Sequence, residues 1–249
     1  MIPLQDILPR KNPPIMTWLL IIINFLVFFH EVSLSPHARE IFFRTWGFIP
    51  ARFFDNYFAV LTGEPWYHKY LTLITHLFIH GSWFHIIGNM WTLWIFGDNV
   101  EDRLGPWKFL LFYLTCGILA TLFHAFIYKN SVVPVVGASG AISGVMGAYF
   151  MMYPLARILV LIPVFFIPFF FEIPAFLYLG FWFLIQFYSG LFSLAMPIHF
   201  VGIAWFAHVG GFIAGAVLYR FFMPGFKKTC KFYADEYTIF GSIFDIDKK

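Results

Sequence analysis

Apolar runs long enough to cross a bilayer recur along this chain, and they leave it few ways to fold. They fall at about 15–33, 71–97, 107–128, 137–154, 173–193 and 200–223, comparable with the roughly 17–25 apolar residues a membrane helix needs. A bilayer offers no water to an open backbone, so such runs must close their hydrogen bonds within themselves as helices. The expectation is an all-α polytopic membrane protein: a six-helix membrane domain over 15–223, a polar, proline-rich N-terminal segment at 1–14 and a C-terminal tail at 224–249. A further apolar stretch at 158–171 is interrupted by Pro163 and Pro168 and reads as a connection at the membrane surface, not a seventh span.

Composition excludes other classes. The chain is 60% hydrophobic and 12% charged, against about 25% charged residues in soluble domains, and its mean hydropathy is +0.77. The net charge of +3 comes with no basic tract, so nucleic acid is not an expected partner; the bilayer is. Two cysteines, Cys116 and Cys230, make no disulfide framework. The first run lacks a small-residue cleavage site and reads as an anchor.

Basic residues set the orientation. With the N-terminus inside, the inner segments hold Arg10, Lys11, Arg103, Lys108, Arg157, Arg220, Lys227, Lys228, Lys231, Lys248 and Lys249, and the outer ones Arg39, Arg44, Arg52, Lys69 and Lys129. Both termini are therefore expected in the cytoplasm, and a bacterial cytoplasmic membrane is the expected setting. The long outer connection, about 35–70, is too apolar for a solvated loop and is expected to lie against the membrane.

Polar side chains within spans are costly and mark function by default. The second run carries His76, His80, His85 and Asn89, the last two on one helical face, with Gly81-Ser82 placed to break and cap a helix just before them. The fourth carries Ser139 and Ser143 with Gly140, Gly144 and Gly147; the sixth carries His208 with Gly210, Gly211 and Gly215. Small residues at this spacing let membrane helices approach closely, so these two helices are expected to pack along a glycine seam. All three polar runs head inward from the outer face. His208 then lies on the order of 12 Å below the outer end of its helix, at a depth His85, Asn89 and Ser139 can share.

Such a cluster could carry acyl transfer. A serine hydroxyl becomes a useful nucleophile when a neutral imidazole takes its proton. Ser139 in the first turn of a helix adds free N–H groups and the positive end of the dipole for a developing oxyanion, and His85 and Asn89 could add donors. Glu31, Glu101 and Glu172 lie near segment ends, away from His208. A Ser-His dyad oriented by packing is thus expected.

These residues resemble the rhomboid family of intramembrane serine proteases. His80-x4-His85-x3-Asn89, Gly137-Ala138-Ser139-Gly140 and Ala207-His208-x-Gly210-Gly211 stand in the family's order, joined by Glu101-Asp102-Arg103-Leu104-Gly105 and Gly47-Phe48-Ile49-Pro50. The resemblance implies Ser139 as nucleophile, His208 as general base, and the Ser139 main-chain N–H with His85 and Asn89 as oxyanion hole. It implies single-pass transmembrane substrates cut near the outer face, with the fifth run, including Trp182 and Gln186, as a mobile gate and 189–200 as a cap. Many members place an aromatic four residues after the nucleophile, where this chain has Ser143, so another ring must hold His208. Many also carry Trp-Arg where this chain has Leu71-Thr72.

Other functions fit less well. A relative that binds transmembrane clients without cutting them would be marked by loss of Ser139 or His208, and both are present. A transporter would show midplane charges or repeated broken helices. His76 and His80 would need carboxylate or histidine partners on facing helices to hold a metal, and none is evident. No cofactor is expected.

Overall fold

A computed structural model describes residues 1–55, 65–165, 167–195 and 203–223. In chain order the elements are β1 (Ile2–Asp6), α1 (Ile15–Ser33), α2 (Pro36–Trp46), α3 (Pro50–Phe54), α4 (His68–Thr75), a 3₁₀ turn (His76–Phe78), α5 (Trp83–Leu104), α6 (Pro106–Ile127), α7 (Ser139–Met152), β2 (Arg157–Val164), β3 (Ile167–Pro174), α8 (Ala175–Leu194) and α9 (Trp205–Phe222). The tail at 224–249 and residues 196–200 of the expected cap lie outside the described residues, and the first part of that expected cap, 189–194, is the end of α8.

The protein is mostly helical and spans a membrane. Four described helices, α1, α6, α8 and α9, are long and apolar enough to cross a bilayer. The other two apolar runs fold differently from a simple span. The second run is broken, as Gly81-Ser82 suggests: α4 and the 3₁₀ turn end before residue 79, and α5 starts afresh at Trp83 with the Ser82 hydroxyl accepting the His85 N–H at 3.2 Å. It then runs on to Leu104, well past the expected end at 97. The fourth run yields a helix of only 14 residues, α7, buried along most of its length at the centre of the bundle. About 21 Å long, it is surrounded by protein and meets little else.

Its glycines explain that placement. A β-carbon at Gly211 would fall on the Gly140 carbonyl oxygen, one at Gly215 on that of Gly144, and one at Gly147 on that of Phe212. The α7 and α9 backbones are therefore in direct contact. Gly140 and Gly144 of α7 thus lie against Gly211 and Gly215 of α9.

One feature departs from the all-α expectation. Strands β1, β2 and β3 form an antiparallel sheet in that order, with Pro163 opposite Pro168 beside the β2–β3 turn. The two prolines that read as helix breakers end a hairpin instead. No strand signal stood out because 158–171 is a continuous apolar run with no alternation. The N-terminal strand is held to the bundle by Asp6, whose carboxylate accepts from Asn99 Nδ2 and Tyr149 Oη, each at 2.6 Å.

The Glu101-Asp102 pair ties the start of α1 to the end of α5. Glu101 accepts the Met16 N–H (2.8 Å), the Thr17 N–H (2.7 Å) and the Thr17 hydroxyl (2.8 Å), supplying acceptors to a helix N-terminus that has none of its own. Asp102 takes the Lys11 and Asn12 N–H groups and the Asn12 amide. Leaving three buried donors unpaired is expensive, so Glu101→Ala will destabilise the fold by about 3 kcal/mol. Denaturant unfolding in detergent measures this, and Glu101→Gln will recover part of the loss.

Candidate active site

Ser139 and His208 meet. Ser139 opens α7 and His208 lies one turn into α9; with the two helices in backbone contact, Ser139 Oγ stands 2.8 Å from His208 Nε2. The other ring nitrogen, Nδ1, is 2.8 Å from Gln186 Oε1 on α8. An amide oxygen only accepts, so Nδ1 carries the ring proton and Nε2 turns its lone pair to the serine hydroxyl. Gln186 stood among the residues of the fifth run, but nothing in its spacing marked it as a partner of His208.

Aromatic rings close around the imidazole. Trp182 lies 6.0 Å from it, tilted by 35°, and Trp205 6.2 Å away edge-on. They occupy the role left open by Ser143, whose hydroxyl donates instead to the Ser139 carbonyl at 2.6 Å. That bond turns the smaller side chain into a brace for the first turn of α7.

The approach to Ser139 is held by the segment between α2 and α3. Phe48 and Val135 exchange both backbone hydrogen bonds, at 3.0 and 2.7 Å, and the Ala51 N–H donates to the Ser131 carbonyl. The Gly47-Phe48-Ile49-Pro50 stretch thus pins the segment that leads into α7. Gly137 then adopts φ +121°, a conformation L side chains rarely take, and a β-carbon there would sit 2.6 Å from His85 Nε2. Only glycine lets the His85 ring pack against the loop.

The expected oxyanion residues gather beside that loop. His85 lies against Gly137, and Asn89 Nδ2, 3.7 Å from the same point, donates to His80 Nε2 at 2.9 Å. That bond uses one of two amide hydrogens and leaves the other for an incoming group. The His80 ring lies edge-on to His85 at 5.0 Å, and its backbone N–H donates to Glu31. His76 has a structural place: its Nδ1 bonds the Thr72 carbonyl, its Nε2 the Thr121 hydroxyl, each at 2.7 Å, and its carbonyl accepts the Gly137 N–H. Among the described residues no cluster of three or more histidine, cysteine or carboxylate side chains could hold a metal.

The sequence model of the rhomboid domain family matches residues 67–225, well over half of the chain, and takes in His85, Asn89, Ser139, Gln186 and His208. The chain belongs to the rhomboid family. It is 31% identical over 115 residues to Rhomboid protein 1, mitochondrial, of Saccharomyces cerevisiae, a match covering 45% of this chain and 33% of that protein. It is 34% identical over 122 residues to Presenilin-associated rhomboid-like protein A, mitochondrial, of Danio rerio, covering 47% and 31%. Rhomboid-like protein 11, chloroplastic, of Arabidopsis thaliana is 31% identical over 113 residues, covering 45% and 36%. The match therefore spans about a third of each relative's length.

Proposed function

We propose that this rhomboid protein is an intramembrane serine endopeptidase that cuts single-pass transmembrane substrates near the outer membrane face. The observation that carries the reading is the 2.8 Å contact between Ser139 Oγ and His208 Nε2, a nucleophile already within hydrogen-bond reach of its base. As Oγ attacks the scissile carbonyl, its proton passes to Nε2. The carbonyl oxygen becomes an oxyanion beside the free N–H groups that open α7, with His85 and Asn89 as further donors. The protonated imidazole then gives its proton to the leaving amine, and water repeats the sequence on the acyl-enzyme.

In this reading α5 and α7 cross together with the four long apolar helices, giving six spans with both termini in the cytoplasm. Lysine and arginine asymmetry supports that orientation. The setting we propose is a bacterial cytoplasmic membrane, although the relatives named above are mitochondrial and chloroplastic; a reporter fused to either end reads the sidedness.

Reconstituted in vesicles with a single-pass test substrate, the chain will release two fragments, and a fluorophosphonate probe will attach to Ser139. Mass spectrometry maps both. Absence of cleavage, or a probe found on another serine, overturns the proposal.

A further inference from the structure

Gln186 sits on the inward stripe of α8, one turn beyond Trp182 and one turn before Gly190, and is only 6% exposed. Its side-chain oxygen holds the proton-bearing nitrogen of His208 at 2.8 Å. A neutral imidazole has two tautomers and two ring orientations, and only one combination turns a lone pair to Ser139. Trp182 and Trp205 restrict the ring by shape, which cannot distinguish between its nitrogens. The amide oxygen can.

Of the four long apolar helices, the one that supplies this partner is the least embedded in protein. Over its most apolar window α8 is 22% buried, against 33% for α1, 39% for α9 and 44% for α6. Its inner stripe meets α9 where Gly190 faces the Phe206 ring, and Ser193 bonds Tyr128 Oη on the loop after α6 at 2.9 Å. A hydrogen bond of 2.8 Å is lost when its partners separate by more than about 0.7 Å, so any outward shift of α8 frees the imidazole.

We propose that Gln186 is a positioning residue for His208 and that, through it, the base is held ready only while α8 lies against α9. The inference rests on reading Ser139 and His208 as nucleophile and base. Its consequence is that a displaced α8 switches the site off, and reseating restores it.

Labelling by a small fluorophosphonate probe reports the readiness of Ser139 without needing a helical substrate to enter. Gln186→Leu, which keeps the bulk and loses the acceptor, will slow labelling and lower kcat on the test substrate in parallel, by roughly ten- to a hundredfold, with KM unchanged. Gln186→Glu, which keeps an acceptor oxygen, will retain most of the rate. Gly190→Val, which pushes α8 away from Phe206, will slow labelling in the unaltered chain but add little in the Gln186→Leu background. Labelling of Gln186→Leu at the unaltered rate, failure of Gln186→Glu to do better, or independent multiplication of the Gly190 and Gln186 effects would each overturn the proposal. His208→Ala separates the two readings. If it is silent while Gln186→Leu is normal, only the role of Gln186 falls; if it labels normally, the nucleophile–base pair itself falls.

Discussion

Ser139→Ala, reconstituted beside the unaltered chain with the same single-pass substrate, will cut at background rate, a loss of roughly a thousandfold or more. The substitution removes one oxygen atom and nothing that holds the fold: Oγ bonds only His208 among the described residues, and the bond that braces α7 here runs from Ser143 to the Ser139 carbonyl. Unfolding of the variant will therefore match that of the unaltered chain, and substrate will still co-purify with it. That combination separates chemistry from folding and from binding. Equal cleavage by both chains would sink the endopeptidase reading, and retained binding with no cleavage by either would leave a protein that holds transmembrane clients.

The second large effect is on packing. Gly215→Val places a branched side chain on the Gly144 backbone, with the carbonyl oxygen, the carbonyl carbon and Cα of Gly144 all inside contact distance. Backbone cannot swing aside as a flexible side chain can, so α7 and α9 must part. Overpacking of this kind costs about 3 kcal/mol. Because the seam also sets the distance between Ser139 and His208, the loss of stability will come with a loss of probe labelling. Thermal unfolding in detergent and labelling measure the two effects. Gly180→Ala is the control: its new β-carbon meets only Phe150, at 3.9 Å, so it will be close to neutral. Similar losses at both positions would show that glycine content as such, rather than the seam, carries the effect.

Much of the site was legible because helix geometry is regular. Spacing of i, i+4 put His85 with Asn89 and gathered the glycines of α7 and α9 on facing stripes, and Gly81-Ser82 announced the break before α5. What stayed hidden depended on side chains from distant segments. Gln186 lies 22 residues before His208 on another helix, and Glu101 is 84 and 85 residues from the N–H groups it accepts. Neither has a periodic signature. The sheet was missed for a related reason: β2 and β3 are apolar throughout, so their period-2 pattern is absent, and β1 is a five-residue strand in a segment rich in proline and polar residues.

By itself, the sequence determined that the chain lives in a membrane, roughly where its long apolar segments lie, and which polar groups share a face of one helix, since rise and rotation per residue are constants of the α-helix. The tertiary structure alone decided which nitrogen of His208 faces Ser139, which rings enclose it and which residue holds its far side. Those outcomes depend on how closely three helices approach and on the rotamers that approach permits, set here by glycine contacts on which a single methyl group would intrude.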